Sequence, residues 1–139
     1  MLIRRMNDAD AGEVANIEKQ SFNDPWTYFF EGNESIVYYV AEVDGRIVSF
    51  VGLQRILDEC EVLRIATLPE CRGRGYAERV LELSLSEMRD SGVRTVFLEV
   101  RDGNAAAIEL YIKCGFSRVG IRKKYYENMY DAVVMQKHL

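Results

Sequence analysis

Residues 72–77, Arg-Gly-Arg-Gly-Tyr-Ala, combine two fixed positive charges with two glycines. They lie between a run of strand character at 61–66 and a clear amphipathic helix. A glycine-rich turn that opens a helix presents backbone N–H groups with no intrahelical partner. Their partial charge adds to the helix dipole, so such a turn is an anion site. Gly73 and Gly75 put no Cβ in a ligand's path and tolerate positive φ. The chemistry suited to this stretch is a grip on phosphate, and the alternative is a plain turn that binds nothing. Two phosphate patterns are excluded. No Lys-Ser or Lys-Thr follows the glycines, and Glu78 stands where a dinucleotide fingerprint needs its third glycine.

A second group of residues is suited to proton transfer. Glu99 falls in the C-terminal part of the most strand-like run, 93–100, where open α/β sheets place their sites. A carboxylate beside apolar walls suits a proton acceptor; an ion pair with Arg101 or Arg64 accounts for the position equally well. Asn104 and Tyr111 are seven apart, which places them on one helical face. A tyrosine with an ordinary pKa of about 10 suits a proton donor, and the alternative is a core tyrosine with a satisfied hydroxyl. The only histidine is His138, so no Ser-His or Cys-His pair is available for a covalent intermediate. Cys60, Cys71 and Cys114 are odd in number and widely spaced. They read as reduced thiols of a cytoplasmic protein, with no disulfide frame and no metal site. Cys71, inside the loop, is expected to be exposed and has no assigned role.

The elements that must hold these residues follow from periodicity. A short strand at 2–6 is followed by a helix capped by Asn7 or Asp8, with Val14, Ile17 and Phe22 on its apolar side. Pro25 starts a second short helix at 25–30, rich in aromatics. Strands at 36–43 and 46–56 flank an Asp44-Gly45 hairpin turn, and a turn at Leu57-Asp58 leads to a strand at 59–67. The helix after the loop carries Ala77, Val80, Leu81, Leu85 and Met88 on one stripe and closes at Ser91-Gly92. The strand at 93–100 reads as buried and parallel. A helix at 105–113 ends before Gly115, and strands at 116–123 and 129–136 close the chain. The order is β-α-α-β-β-β-α-β-α-β-β. It is an α/β chain with a mixed sheet, antiparallel in its N-terminal half, with a parallel join across the third helix.

Composition bounds the rest. The 139 residues are 48% hydrophobic and 29% charged, ordinary for one soluble globular domain spanning 1–139. The net charge of −4 argues against general nucleic-acid binding. No apolar run approaches the roughly 20 residues of a membrane span, and the N-terminus carries no apolar signal segment.

Several spaced motifs resemble the GNAT acyltransferases. Arg72, Gly75 and Ala77 are similar to that superfamily's pyrophosphate loop, and the element order agrees from end to end. Within it the chain looks most like the ribosomal-protein alanine N-acetyltransferases, the RimI group, and the archaeal protein N-terminal acetyltransferases. The carrying residues are Ile65-Ala66-Thr67, the 72–77 loop, Leu98-Glu99-Val100-Arg101, Asn104 with Ala107, Leu110-Tyr111, Gly115-Phe116, Tyr125-Tyr126 and Asp131-Ala132. Thr67 stands where that group usually has Val, Ala77 where Gly is common, and Gly103 where Ser is usual. The N-terminal third, which shapes the substrate groove in this family, matches least.

The resemblance implies an acetyl-CoA-dependent N-acetyltransferase acting on a protein or peptide N-terminus, a ribosomal protein or nascent chains, by direct attack in a ternary complex. It implies that Arg72, Gly73, Arg74, Gly75, Tyr76 and Ala77 hold the pyrophosphate. Ile65, Ala66 and Thr67 would offer backbone N–H groups, with Asn104 near the pantetheine. Glu99 would accept a proton and Tyr111 would donate one to the thiolate. Tyr125 and Tyr126, read as lying in the last hairpin loop, are expected to wall a peptide groove with Tyr38, Tyr39 and the aromatic segment 26–30; core packing is the alternative for that segment. The competing functions are acetylation of a small amine or a lysine side chain, and a non-catalytic acyl-CoA-binding module. Nothing in the sequence specifies an oligomeric state.

Overall fold

The computed structural model describes residues 1–22, 35–126 and 130–139, with 124–126 described through their backbone. The chain runs β1 (Leu2–Arg5), α1 (Ala11–Ser21), β2 (Ile36–Val43), β3 (Arg46–Ile56), β4 (Glu59–Thr67), α2 (Tyr76–Asp90), β5 (Thr95–Arg101), α3 (Ala105–Lys113), β6 (Ser117–Tyr126) and β7 (Tyr130–His138). The short helix expected at 25–30, with its aromatic residues, lies outside the described residues.

The strands form one seven-stranded sheet in the order β1-β2-β3-β4-β5-β7-β6. Every neighbouring pair is antiparallel except β4 and β5. The first hairpin forms because Asp44 and Gly45 both take positive φ, 52° and 77°, the geometry a two-residue turn needs to match strand twist. The parallel join is short. Only Glu59↔Thr95, Cys60↔Val96 and Glu61↔Phe97 pair. Beyond them β4 continues to Thr67 and β5 to Arg101 with no further rungs between them. Between Gly52 and Leu53 the β3–β4 register slips by one residue, so that Leu63 is the extra residue of a bulge; bulges bend a strand and interrupt its pairing. The two central strands therefore part towards their C-terminal ends.

Each face of the sheet is covered by helix. Val80, Leu81, Leu85 and Met88 of α2 pack with Val51, Leu53, Val62, Val96 and Leu98. Val14 and Ile17 of α1 pack with Tyr38, Val40 and Phe50 on the other side. Strand alternation sorts the residues: Val96, Leu98 and Val100 belong to the α2 side, so Phe97 and Glu99 between them turn the other way. A buried ion pair ties α1 to β4. Arg64 Nη1 donates to Glu18 Oε2 at 2.8 Å, with the two side chains 9% and 0% exposed, and the same guanidinium stacks on Phe22 at 4.3 Å. Among the described residues no helix is long and apolar enough to cross a membrane.

Candidate active site

The loop before α2 takes the form expected of an anion site. Gly73 and Gly75 hold φ of 79° and 81°. Gly75 is the N-cap of α2 and, among the described residues, no side chain caps the helix, so the first-turn N–H groups are open to solvent or to a ligand. A Cβ at Gly73 or Gly75 meets nothing within 4 Å; it would point into open space. That space is a groove of about 960 Å³ between the end of β4, the start of α2 and the exposed side of α3. Ile65, Ala66, Thr67, Arg72, Gly73, Gly75, Tyr76, Ala77 and Asn104 all line it. Arg74 is exposed and stands outside that lining.

Arg72 is fixed by its own strand. Its Nε donates to the Thr67 carbonyl at 3.2 Å, and Nη2 reaches Ser21 Oγ at 3.5 Å. Thr67 is in turn held by Ser49, whose hydroxyl donates to the Ala66 carbonyl at 2.8 Å and lies 2.9 Å from Thr67 Oγ1. Asn104 has a second role as N-cap of α3, its Oδ1 accepting from Ala107 N at 3.3 Å. The groove also carries residues that sequence reasoning did not place there. Lys113 lines it and pairs with Glu78 at 3.6 Å. Its position three residues after Leu110, which lines the same groove, on the last turn of α3 was the available signal. The groove's size, its helix N-terminus, its missing Cβ atoms and its cations fit an elongated anionic thioester such as acetyl-CoA.

Glu99 lines a second cavity, of about 440 Å³, with Gln54, Glu61, Phe97, Arg122 and Val134 among its walls. Neither of the pairings weighed for Glu99 occurs. Arg64 serves Glu18, and Arg101 stacks on Tyr130 at 4.1 Å. Among the described residues a cation that meets Glu99 is Arg122 of β6, with Nη2 2.7 Å from Oε1 and the Glu99 side chain 17% exposed. Sequence gave no cue to it, because β7 lies between β5 and β6 in the sheet. Glu61 shares the cavity; burial pushes its carboxyl above the usual range, the Glu99 charge adds to this, and Arg122 opposes it.

Tyr111 is 7% exposed and packs edge-on against Phe116, ring centroids 5.8 Å apart. It belongs to the α2-side core. Two expectations are corrected. Tyr38 offers no open wall: it is 3% exposed, its ring packs against Phe50, and it closes so tightly on Gly52 that a Cβ there would meet it at 2.6 Å. Cys71, expected to be exposed, is 7% exposed, because a 3-10 turn at Pro69–Cys71 folds it against Leu68 and the α1-side core. The Cys60 and Cys114 thiols are buried, and burial pushes them up to about 12 and about 11, far from nucleophilic range. Tyr125 and Tyr126 are backbone members of β6, with Tyr126 pairing Tyr130, so the strand runs past the expected loop.

The Acetyltransferase (GNAT) family model matches residues 3–116. A [ribosomal protein bS18]-alanine N-acetyltransferase of Salmonella typhimurium is 34% identical over 136 residues, covering 94% of this chain and 92% of its own length. The crystal structure of the ribosomal-protein-S18-alanine N-acetyltransferase from Escherichia coli superposes with a TM-score of 0.90 at 31% identity, covering 99% of this chain and 92% of that one. A Bacillus anthracis acetyltransferase solved in complex with acetyl coenzyme A shares the fold, with a TM-score of 0.84 at 18% identity over 99% and 98% of the two chains.

Proposed function

Because the chain belongs to the GNAT family of acetyltransferases, we propose that it transfers acetyl from acetyl-CoA to the N-terminal amine of a protein, with the alanine N-terminus of ribosomal protein bS18 as its substrate. The relatives named for that reaction support the acceptor. The observation that carries the reading is the parting of β4 and β5. The 960 Å³ groove is lined by Ile65, Ala66 and Thr67 beyond the last rung, and the Glu99 cavity by Glu59 to Glu61 of β4 and Phe97 to Glu99 of β5, up to and just past that rung. A cosubstrate on one side and an amine on the other would meet across the gap.

Acetyl-CoA supplies an activated acyl group when bound. The chain's residues bind it, orient it and move protons. The uncapped start of α2 and Arg72 take up pyrophosphate charge. Backbone groups of Ile65 to Thr67, beyond the last β4–β5 rung, are available to orient the carbonyl. Glu99 accepts the proton of the incoming ammonium, held in place by Arg122. Tyr111 supplies the proton to the departing sulfur, and Asn104, two helical turns earlier, contacts the pantetheine. Tyr125 and Tyr126, near the tip of the β6–β7 hairpin, border the acceptor.

A thiol-release assay with a panel of acceptors tests this. Peptides beginning Ala, Ser and Met, the same peptides with blocked N-termini and a free lysine, and polyamines make up the panel. Activity confined to free N-termini is expected, with alanine preferred. Activity on lysine or polyamines alone would retain the fold and cosubstrate and remove the acceptor assignment.

A further inference from the structure

The Glu99 cavity contains two other ionisable groups, which line it from different strands. Arg122 on β6 donates to Glu99 Oε1 at 2.7 Å. Glu61 on β4 stands at the last β4–β5 rung, opposite Phe97. Its neighbours Cys60 and Val62 turn into the α2-side core, so Glu61 turns to the face that carries Phe97 and Glu99. Glu61, Glu99 and Arg122 line the same cavity, whose remaining walls include Ile56, Phe97 and Val134. Apolar walls weaken solvent screening and make each charge felt by the others.

We infer that Glu61 and Arg122 are positioning residues of the proton-accepting site: they bracket the Glu99 carboxylate with opposite charges and fix both where it points and how tightly it holds a proton. This rests on the proposed function. Arg122 holds one oxygen of Glu99 and stabilises its ionised form. Glu61 presents a second carboxylate to the same cavity, of like charge to Glu99 and opposite to Arg122. The coupling is visible from the other side, since the Glu61 carboxyl is raised by burial and by Glu99 and lowered by Arg122. Among the described residues the other charged groups lining the cavity are Glu59 on β4 and Asp58 in the turn before it, both of the same sign as Glu61. In the step concerned, an N–H bond of the acceptor ammonium breaks and its electron pair stays on nitrogen. The proton bonds to a Glu99 oxygen and later passes to water. The net charge of the three side chains changes from −1 to 0 when the proton arrives and returns to −1 when it leaves.

The test is the pH dependence of kcat/KM with an alanine-initiated peptide, read beside the carboxyl-carbon NMR titration of Glu99 in the free protein. Glu61→Gln is expected to move the acid limb and the Glu99 titration down by about 0.5 pH unit or more, and Arg122→Gln to move both up by about 1 unit. Arg122→Lys restores the charge and brings both most of the way back. Glu82→Gln, an exposed charge change on α2, leaves both in place. Shifts absent in both variants, or of the same sign, would overturn the inference even if every variant turns over. Opposite NMR shifts in the two variants, beside a wild-type protein that acetylates no peptide, would overturn the functional reading beneath it.

Discussion

Replacing Gly75 by alanine separates the cost of backbone strain from the loss of a ligand site. Gly75 has φ +81° and Gly45, in the β2–β3 turn, has φ +77°, and an added Cβ at either meets nothing within 4 Å. The strain of placing an L side chain in the left-handed region is therefore the same in both, roughly 1–2 kcal/mol. At about 2.1 cal/mol/K per residue, 139 residues give an unfolding entropy of about 0.3 kcal/mol/K. Each variant should lose about 3 to 7 °C in Tm. Only the Gly75 methyl points into the groove at the start of α2. Displacing the pyrophosphate from one charge-assisted N–H contact costs about 1.5–3 kcal/mol, or about 10- to 100-fold in Kd. Calorimetric titration with CoA, beside thermal unfolding of both variants, reads the two effects separately. CoA affinity within threefold of wild type in Gly75→Ala, with the same Tm loss as Gly45→Ala, would refute the assignment of this loop to the pyrophosphate.

Other outcomes follow from the same geometry. Arg64→Met leaves the fully buried Glu18 carboxylate without its 2.8 Å partner and should cost about 3–5 kcal/mol in urea unfolding; adding Glu18→Gln should recover much of the loss, and a double variant no better than the single would argue against the pair. Asp10 is held below the usual carboxylate range, mainly by its hydrogen bonds from Arg4 at 2.7 and 2.9 Å. A carboxyl with a lowered folded pKa stabilises the fold above its unfolded value, and that contribution is lost as pH falls through the folded value. The stability gap between wild type and Asp10→Asn should therefore be constant at neutral pH and close below about pH 4. Glu99→Gln should lower turnover by about 10²-fold or more and Tyr111→Phe should lower it as well, with CoA affinity unchanged in both. Undiminished turnover in either would remove that residue from the mechanism.

The strand boundaries at 36–43, 46–56 and 59–67 were legible because β-branched and aromatic composition and turn chemistry agree there: Asp44-Gly45 and Leu57-Asp58 both interrupt apolar runs. The glycine loop before α2 was legible because its features are local, a glycine N-cap and the helix that follows. What failed depended on the order of strands in space. Arg122 reaches Glu99 only because β7 inserts between β5 and β6, and no spacing in the sequence encodes that. Tyr38 and Tyr39 alternate as a half-exposed strand would, yet both faces of β2 are covered by helix, and they are 3% and 1% exposed. The β6 strand reads as ending near Lys123 because its composition becomes polar. In the fold its pairing resumes past an irregularity, with Tyr126 opposite Tyr130.

The most direct test of the central claim uses one peptide that offers both kinds of amine, an N-terminal alanine and an internal lysine, incubated with the protein and acetyl-CoA. Fragment-ion mass spectrometry then locates the acetyl group. The account predicts a single acetyl on the alanine α-amine. Acetyl on the lysine, or transfer that continues undiminished when the N-terminus is blocked, would contradict it.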